Sequence, residues 1–408
     1  MTEVKKQILD YFLPLARVDT QSVEGSKTLP SNPNETVLCN GLLTNFMTDA
    51  GLVDITLQDF GISGVLPGSE GVDKSVGLFA HMDTAPTYSG LCNPRVVTYD
   101  GCVKYPEDDS IEINDQTNPE LADLHGEELV VSSGDSLLGA DNKAGIAIIL
   151  AVCKSMKDDH PEIRVAFTFD EEIGCCGVTD DLYKFFQPCD ICLNLDGGLP
   201  SIQDQTFIGK RAVVEFSSPS IHPGEAYQSD MRNTPAALGR FLTMFPSDKL
   251  CMTTKDKEPY ILCTDLKSEH ITKVSATLIL RAFTREDMAG LEEHVQTTAR
   301  ECAAEVDCDV SVSIVKQYDN MGFSLTDDAK LYRDILMDLF NESGLKLMES
   351  TGIRGGLDAS ILAEKGIPCV NVFTGAANFH ALTEFLVVSF AVASHDLMVK
   401  FLYTSFSK

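Results

Sequence analysis

An α/β fold is predicted for this chain, with a mostly parallel central sheet flanked by helices and an inserted α+β lid domain. Three observations carry the prediction. Short apolar runs alternate with helical periodicities as far as about residue 207. The pattern then changes to strands of alternating, half-exposed character. Helix–strand–helix alternation resumes from Asp327 to the end. Strands alternating with helices require a largely parallel sheet covered on both faces. At 408 residues the chain is long for one core, so two domains are expected, 1–207 with 319–408 and an insert at 208–318.

The elements follow in order. Val4, Ile8, Phe12 and Leu15 recur at helical spacing. A second helix is expected from about Glu35 to Gly51, glycine being a common C-terminal stop. A strand at Ile55–Gln58 precedes the apolar run Val76–Ala80, which leads to His81. Residues 91–135, rich in Asp, Asn, Gly and Pro, read as an elaborated loop region. Lys143–Met156 is nearly all apolar, as in a buried helix. Strand Ile163–Phe169, a helix near Leu182–Phe186 and strand Ile191–Leu195 follow. In the insert, Ala212–Phe216 reads as a strand and Thr234–Phe245 as a helix. Lys273–Phe283 alternates, with Val274, Ala276, Leu278, Leu280 and Ala282 on one face and Ser275, Thr277, Ile279 and Arg281 on the other. A helix over Glu286–Ala304 and a strand over Val310–Val315 complete it.

Composition excludes several classes. Sixty-one acidic and 32 basic residues give a formal charge of −29, which argues against nucleic acid and anionic membrane surfaces as partners. No apolar run approaches the roughly 20 residues of a membrane span. Met1–Lys6 lacks the apolar core of a signal peptide. Thirteen irregularly spaced cysteines argue against a disulfide framework and for the reducing cytoplasm. Cys189-x-x-Cys192 has no second pair with which to make a zinc ribbon, and Cys175-Cys176 likewise reads as structural.

Five phrases carry chemistry: His81-Met82-Asp83, Gly139-Ala140-Asp141-Asn142-Lys143, Asp170-Glu171-Glu172, Leu195-Asp196-Gly197-Gly198 and Asn378-Phe379-His380. Singly each has an ordinary reading. Asp141 could cap a helix, and Asp196-Gly197-Gly198 could be a turn. Four of the five fall at or just beyond the end of an expected strand, however, where an open α/β sheet gathers its ligand crevice. Two imidazoles and several carboxylates suit a metal ion with a position open for water, and with one bridging carboxylate they suffice for two ions. A remaining glutamate can move protons. A metal-dependent hydrolase is the expected class.

Taken together, these phrases make the chain resemble the co-catalytic zinc aminopeptidases and carboxypeptidases with a separate lid domain, and within them the tripeptide aminopeptidases. The resemblance runs from Ala16-Arg17-Val18-Asp19-Thr20 through the long insertion of residues 93–135 to His380. It implies that His81 and Asp196 hold one zinc, Glu172 and His380 the other, and Asp141 bridges them before a cis Asp141–Asn142 peptide. It makes Glu171 the general base and Asp83 the partner that orients His81. It implies that His222 stabilises the oxyanion, within the chain or across a dimer, and that Arg281 and Arg354 bind the substrate carboxylate. Asn233 either assists there or caps the helix that follows. The implied activity is removal of the N-terminal residue from tripeptides and other short peptides, with two Zn2+ per chain and a homodimer through the lid as an option. Co2+ or Mn2+ would fit the same ligands. A dipeptidase, carboxypeptidase or N-acyl amino acid deacylase would use the same chemistry. The chain departs from the tripeptidase pattern at Asn142, where a second aspartate is usual, at Ala381-Leu382-Thr383, in place of Gly-Lys-His, and at Leu357, in place of threonine. These changes touch the rim of the site, so they bear on strictness for tripeptides.

Overall fold

The run Ser75–His81 is buried at every position because it lies inside a seven-stranded sheet. The sheet order is Val53–Gln58, Gly61–Leu66, Glu162–Thr168, Ser75–His81, Ile191–Gly197, Cys369–Phe373, Ile202–Gln203. The four inner neighbours from Glu162–Thr168 to Cys369–Phe373 run parallel. The outer strands are antiparallel, so the sheet is mixed at its edges. This computed structural model describes residues 3–88, 90–105, 108–349 and 352–406.

Both faces of the sheet are covered. Val76, Leu78 and Ala80 join one cluster with the helices Glu3–Ala16, Ala140–Ser155 and Val388–Phe406. On the opposite face Phe79 meets Phe186 of the helix Asp180–Phe186, with ring centroids 5.5 Å apart. Gly77 leaves the room that Phe186 and the Cys192 sulfur occupy. The helix Ala140–Ser155 approaches the sheet so closely that a Cβ on Gly145 would stand 2.0 Å from the Leu195 carbonyl oxygen.

Two readings of this part are corrected. The helix expected over 35–51 is three pieces, Pro33–Leu38, a wider π turn at Cys39–Leu43, and Thr44–Asp49. Asn32 caps the first by accepting from Asn34 N. Residues 91–135 also hold strands between their loops. Arg95–Thr98 and Glu128–Val131 pair with each other, and with Phe385–Val387 and Ala376–Ala377 they make a four-stranded sheet. Cys102–Tyr105 pairs with Asp108–Asn114. Tyr99, Tyr105, Leu129 and Phe385 form a small core beneath them. Strands this short leave too few apolar residues between turn residues for a period to show.

A second compact unit comprises Gln205–Phe323 with Gly352–Gly356. Its antiparallel sheet has the order Tyr260–His270, Lys273–Ala282, Ile208–Ser217, Asp309–Tyr318. Helices Thr234–Thr243 and Arg285–Val306 pack on the face carrying Ala212, Val214, Phe216, Ala276 and Leu278. The strand Tyr260–His270 was not expected, because from Thr264 onward it is exposed at the edge of the sheet and, apart from Leu266, polar. The short segment Gly352–Ile353 pairs in parallel with Gln205–Thr206, which is why 352–356 belongs to this unit.

Candidate metal centre

The first unit brings together His81, Asp83, Asp141, Glu171, Glu172, Asp196 and His380. His81 ends its strand and is 2 % exposed. Its Nδ1 lies 3.1 Å from the Asp83 carbonyl oxygen and 3.2 Å from Asp83 Oδ1. Its Nε2 lies 2.9 Å from Asp141 Oδ1 and 3.6 Å from Asp196 Oδ1. Asp83 is fully buried and accepts the Glu171 N–H on Oδ1 at 3.0 Å and the Glu172 N–H on Oδ2 at 3.1 Å. One carboxylate thus fixes both the imidazole and the turn that carries the glutamates.

Asp141 stands between the two histidines. Its Oδ1 faces His81, and its Oδ2 lies 3.4 Å from His380 Nε2. That same nitrogen is 2.9 Å from Glu172 Oε1. The Asp141–Asn142 peptide is cis, as the resemblance implies. Asp141 and Asn142 depart from helical φ and ψ although the helix begins at Ala140. His380 sits in a loop in the left-handed region, with φ +60°. Asp196 lies near the end of its own strand, and its backbone N–H donates to Asn371 Oδ1 at 3.2 Å.

The donor set fits divalent cations. Ligand atoms of His81, Asp141 and Glu172 lie within 4.8 Å of one another, and nitrogen and carboxylate oxygen are what zinc accepts. Asp141, offering one oxygen to each side, suits a carboxylate shared by two ions. Charge leads to the same conclusion. Burial pushes Glu172 up to about 7 and Asp196 to about 6, in each case reinforced by Asp141. Against its own burial, Asp141 is held well below the usual carboxylate range by His380 and His81. His380 is raised to about 10 by Asp141 and Glu172. Burial alone would lower His81, but Asp196 and Asp141 outweigh it. In the metal-free protein, protons hold this excess of negative charge.

Glu171 is outside the His81–Asp141–Glu172 group and belongs to a second one with Cys175 and Asp358. Burial holds its carboxyl well above the ordinary value. Asp170 faces elsewhere. It accepts from Ser31 N at 2.6 Å and from the Ser31 hydroxyl, tying down residues far away in the chain.

Four further candidates lie in the second unit. His222 is exposed, and its Nδ1 accepts the Gly224 N–H at 3.2 Å, which leaves the proton of a neutral ring on Nε2. Asn233 precedes the helix Thr234–Thr243, but its side chain makes no capping bond, so the cap reading is set aside. Arg281 is 8 % exposed, more buried than its place on the polar face suggests. Its Nη1 donates to the carbonyls of Lys210 and Leu280 and to Gln317 Oε1, and the guanidinium lies over Tyr318. Arg354 donates to Asp256 O, Glu258 O and Thr254 Oγ1 and packs on Phe207 and Tyr260. In this structure Arg354 secures the 254–258 loop.

Sequence reasoning missed Glu384. It is 1 % exposed and accepts Gly139 N–H at 2.8 Å and Asp141 N–H at 2.9 Å, so it sets the backbone from which Asp141 projects. Its place four residues after His380 was the available signal.

Comparison with known proteins gives the family and the fold. Residues 139–404 match peptidase family M20/M25/M40. A peptidase T of Clostridium botulinum is 32 % identical over 409 residues, covering 97 % of this chain and 98 % of that protein. Among solved structures, a tripeptidase from Staphylococcus aureus aligns with TM-score 0.72 at 18 % identity, over 98 % of both chains. A dinuclear metal binding peptidase of family M20 from Bacillus subtilis aligns with TM-score 0.66 at 12 % identity, over 99 % of this chain and 98 % of that one. At such identities the two structures speak for the fold.

Proposed function

The chain belongs to peptidase family M20/M25/M40, and from that premise we propose that it is a two-metal aminopeptidase removing the N-terminal residue from tripeptides and other short peptides. The observation that carries this reading is Asp141, one oxygen toward His81 and the other toward His380, with Glu171 close by and outside that set. His81 and Asp196 would hold one cation and Glu172 and His380 the other, with Asp141 shared. Zinc is the proposed ion, and cobalt or manganese suits the same donors. Bound there, the ions would polarise the scissile carbonyl and lower the pKa of the attacking water.

The residues of the chain do the rest. Glu171 takes the proton of the water and delivers it to the departing amine. Asp83 holds His81 in the tautomer that keeps Nε2 open and fixes the backbone of Glu171. His222, with its proton on Nε2, is the proposed donor to the oxyanion. Arg281 is the proposed contact for the substrate carboxylate, through the part of its guanidinium beyond Nη1. The exposed edge strand Tyr260–His270 supports pairing of two copies through this unit. We place the enzyme in the cytoplasm on the strength of its cysteines.

A peptide panel tests the reading. Free tripeptides are expected to be turned over, N-acetylation to abolish turnover, and C-terminal amidation to raise KM. Hydrolysis of N-acyl amino acids in preference to free tripeptides would overturn it in favour of a deacylase. Glu171→Gln is expected to lose roughly a hundred- to ten-thousand-fold in kcat while keeping its metal content.

A further inference from the structure

A second acidic group adjoins the metal centre. Glu171, Cys175 and Asp358 each offer a ligand atom within 4.8 Å of the others. The backbone sets the first two side by side, because Cys175 N–H donates to the Glu171 carbonyl at 2.8 Å. Cys175 Sγ is 3.6 Å from Glu171 Oε1. A tetrahedral ion with Zn–S of about 2.3 Å and Zn–O of about 2.1 Å holds such a pair about 3.6 Å apart. The spacing already suits a shared cation.

Asp358 supplies an independent observation. It is 2 % exposed, and Thr168 Oγ1 donates to its Oδ2 at 2.6 Å. Its Oδ1 is buried with no hydrogen-bond partner. A buried carboxylate oxygen without a donor is costly, and a bound cation removes that cost. The thiol gives the group its selectivity, since sulfur favours zinc or cadmium over magnesium or manganese.

We propose that Glu171, Cys175 and Asp358 form a third cation site for a thiophilic divalent ion, and that filling it inhibits the enzyme by engaging the carboxylate that moves protons. The inhibitory part rests on the reading of Glu171 given above. Binding displaces the proton of the Cys175 thiol and any proton on the two carboxyl groups, all of which leave to solvent, and no electron is transferred.

Cobalt ion alone is the probe. Added to metal-free protein, it is expected to give a thiolate-to-cobalt charge-transfer band only after two equivalents have bound. Cys175→Ser should lack the band, and Cys176→Ser, altering the exposed neighbour, should keep it. Cys175→Gly suits the φ of +56° at this position and replaces the serine variant if that one does not fold. Zinc beyond two equivalents should inhibit tripeptide turnover, and Cys175→Ser should raise the half-inhibiting concentration about tenfold or more, measured relative to the variant's own turnover at two equivalents. No band in the native protein, a band that survives Cys175→Ser, or one lost with Cys176→Ser would overturn the site. Unchanged zinc inhibition in Cys175→Ser would overturn its inhibitory role. A Cys175-dependent band in a protein inactive at two equivalents supports the site and overturns the peptidase reading instead.

Discussion

At the scale of the residue, Glu384 is a side chain that offers no proposed ligand atom yet fixes the backbone of one that does. It accepts the N–H of Gly139 and that of Asp141, the aspartate proposed to be shared. Glu384→Ala is therefore expected to weaken metal affinity by roughly ten- to a hundredfold, and Glu384→Gln, which keeps one acceptor, by less. A competitive metal titration reads the difference, and equal affinity in all three proteins would remove the role. The proposed ligands could be named from the sequence because histidine, paired glutamates and Gly-Ala-Asp are distinctive at strand ends. Glu384 was not, since an acceptor for backbone groups needs only an oxygen in the right place. Nor was the engagement of Arg354 by the carbonyls of Asp256 and Glu258, which depends on loop geometry.

At the scale of the element, the helix Ala140–Ser155 is the part that most needs its sequence. Its apolar run was plain, but its start was read as Lys143, because the first turn is distorted around Asp141 and Asn142. Gly145 lets it lie against the strand Ile191–Gly197. A Cβ there would meet Leu195 O at 2.0 Å and Asn142 Oδ1 at 2.5 Å, both beside site residues. Gly145→Ala should destabilise the fold by about 1–3 kcal/mol or more and lower metal affinity as well, seen as a reduced urea midpoint and a weaker metal titration. An unchanged midpoint would mean that the helix can shift freely. The elements the sequence concealed are those lacking a long apolar period. Tyr260–His270 is polar along most of its length, and the strands between Arg95 and Val131 are short.

At the scale of the whole molecule, stability is linked to pH through the buried acids. Burial raises Glu172 and Glu384 to about 7, from 4.5, and Asp196 to about 6, from 3.8. An acid raised on folding binds its proton more tightly in the native state. Its contribution is full below the unfolded value and is lost as pH rises to the folded one. His380, raised from 6.5 to about 10 by Asp141 and Glu172, contributes below 6.5 and loses that contribution as pH rises toward 10. All four act in one direction between about pH 5 and 8, so the Tm of the metal-free protein should fall across that range. Cations that take the place of the protons should flatten the curve. A metal-free Tm that rises with pH would contradict this account. The change of pattern near residue 207 could be read in the sequence, whereas the return of Gly352–Gly356 to the second unit rests on a two-residue pairing too short to show there.

The double acceptance by Asp83 has a thermodynamic consequence. His81 serves one proposed ion and Glu172 the other, yet a single carboxylate is bonded to the His81 ring and to the Glu172 backbone. Ordering either ligand orders the other, so the first ion to bind meets part of the conformational cost of the second. Occupancy of the two proposed positions is then expected to be cooperative, with a coupling that is reciprocal whichever fills first. At limiting metal the population would divide between empty and fully loaded molecules, with few half-filled ones.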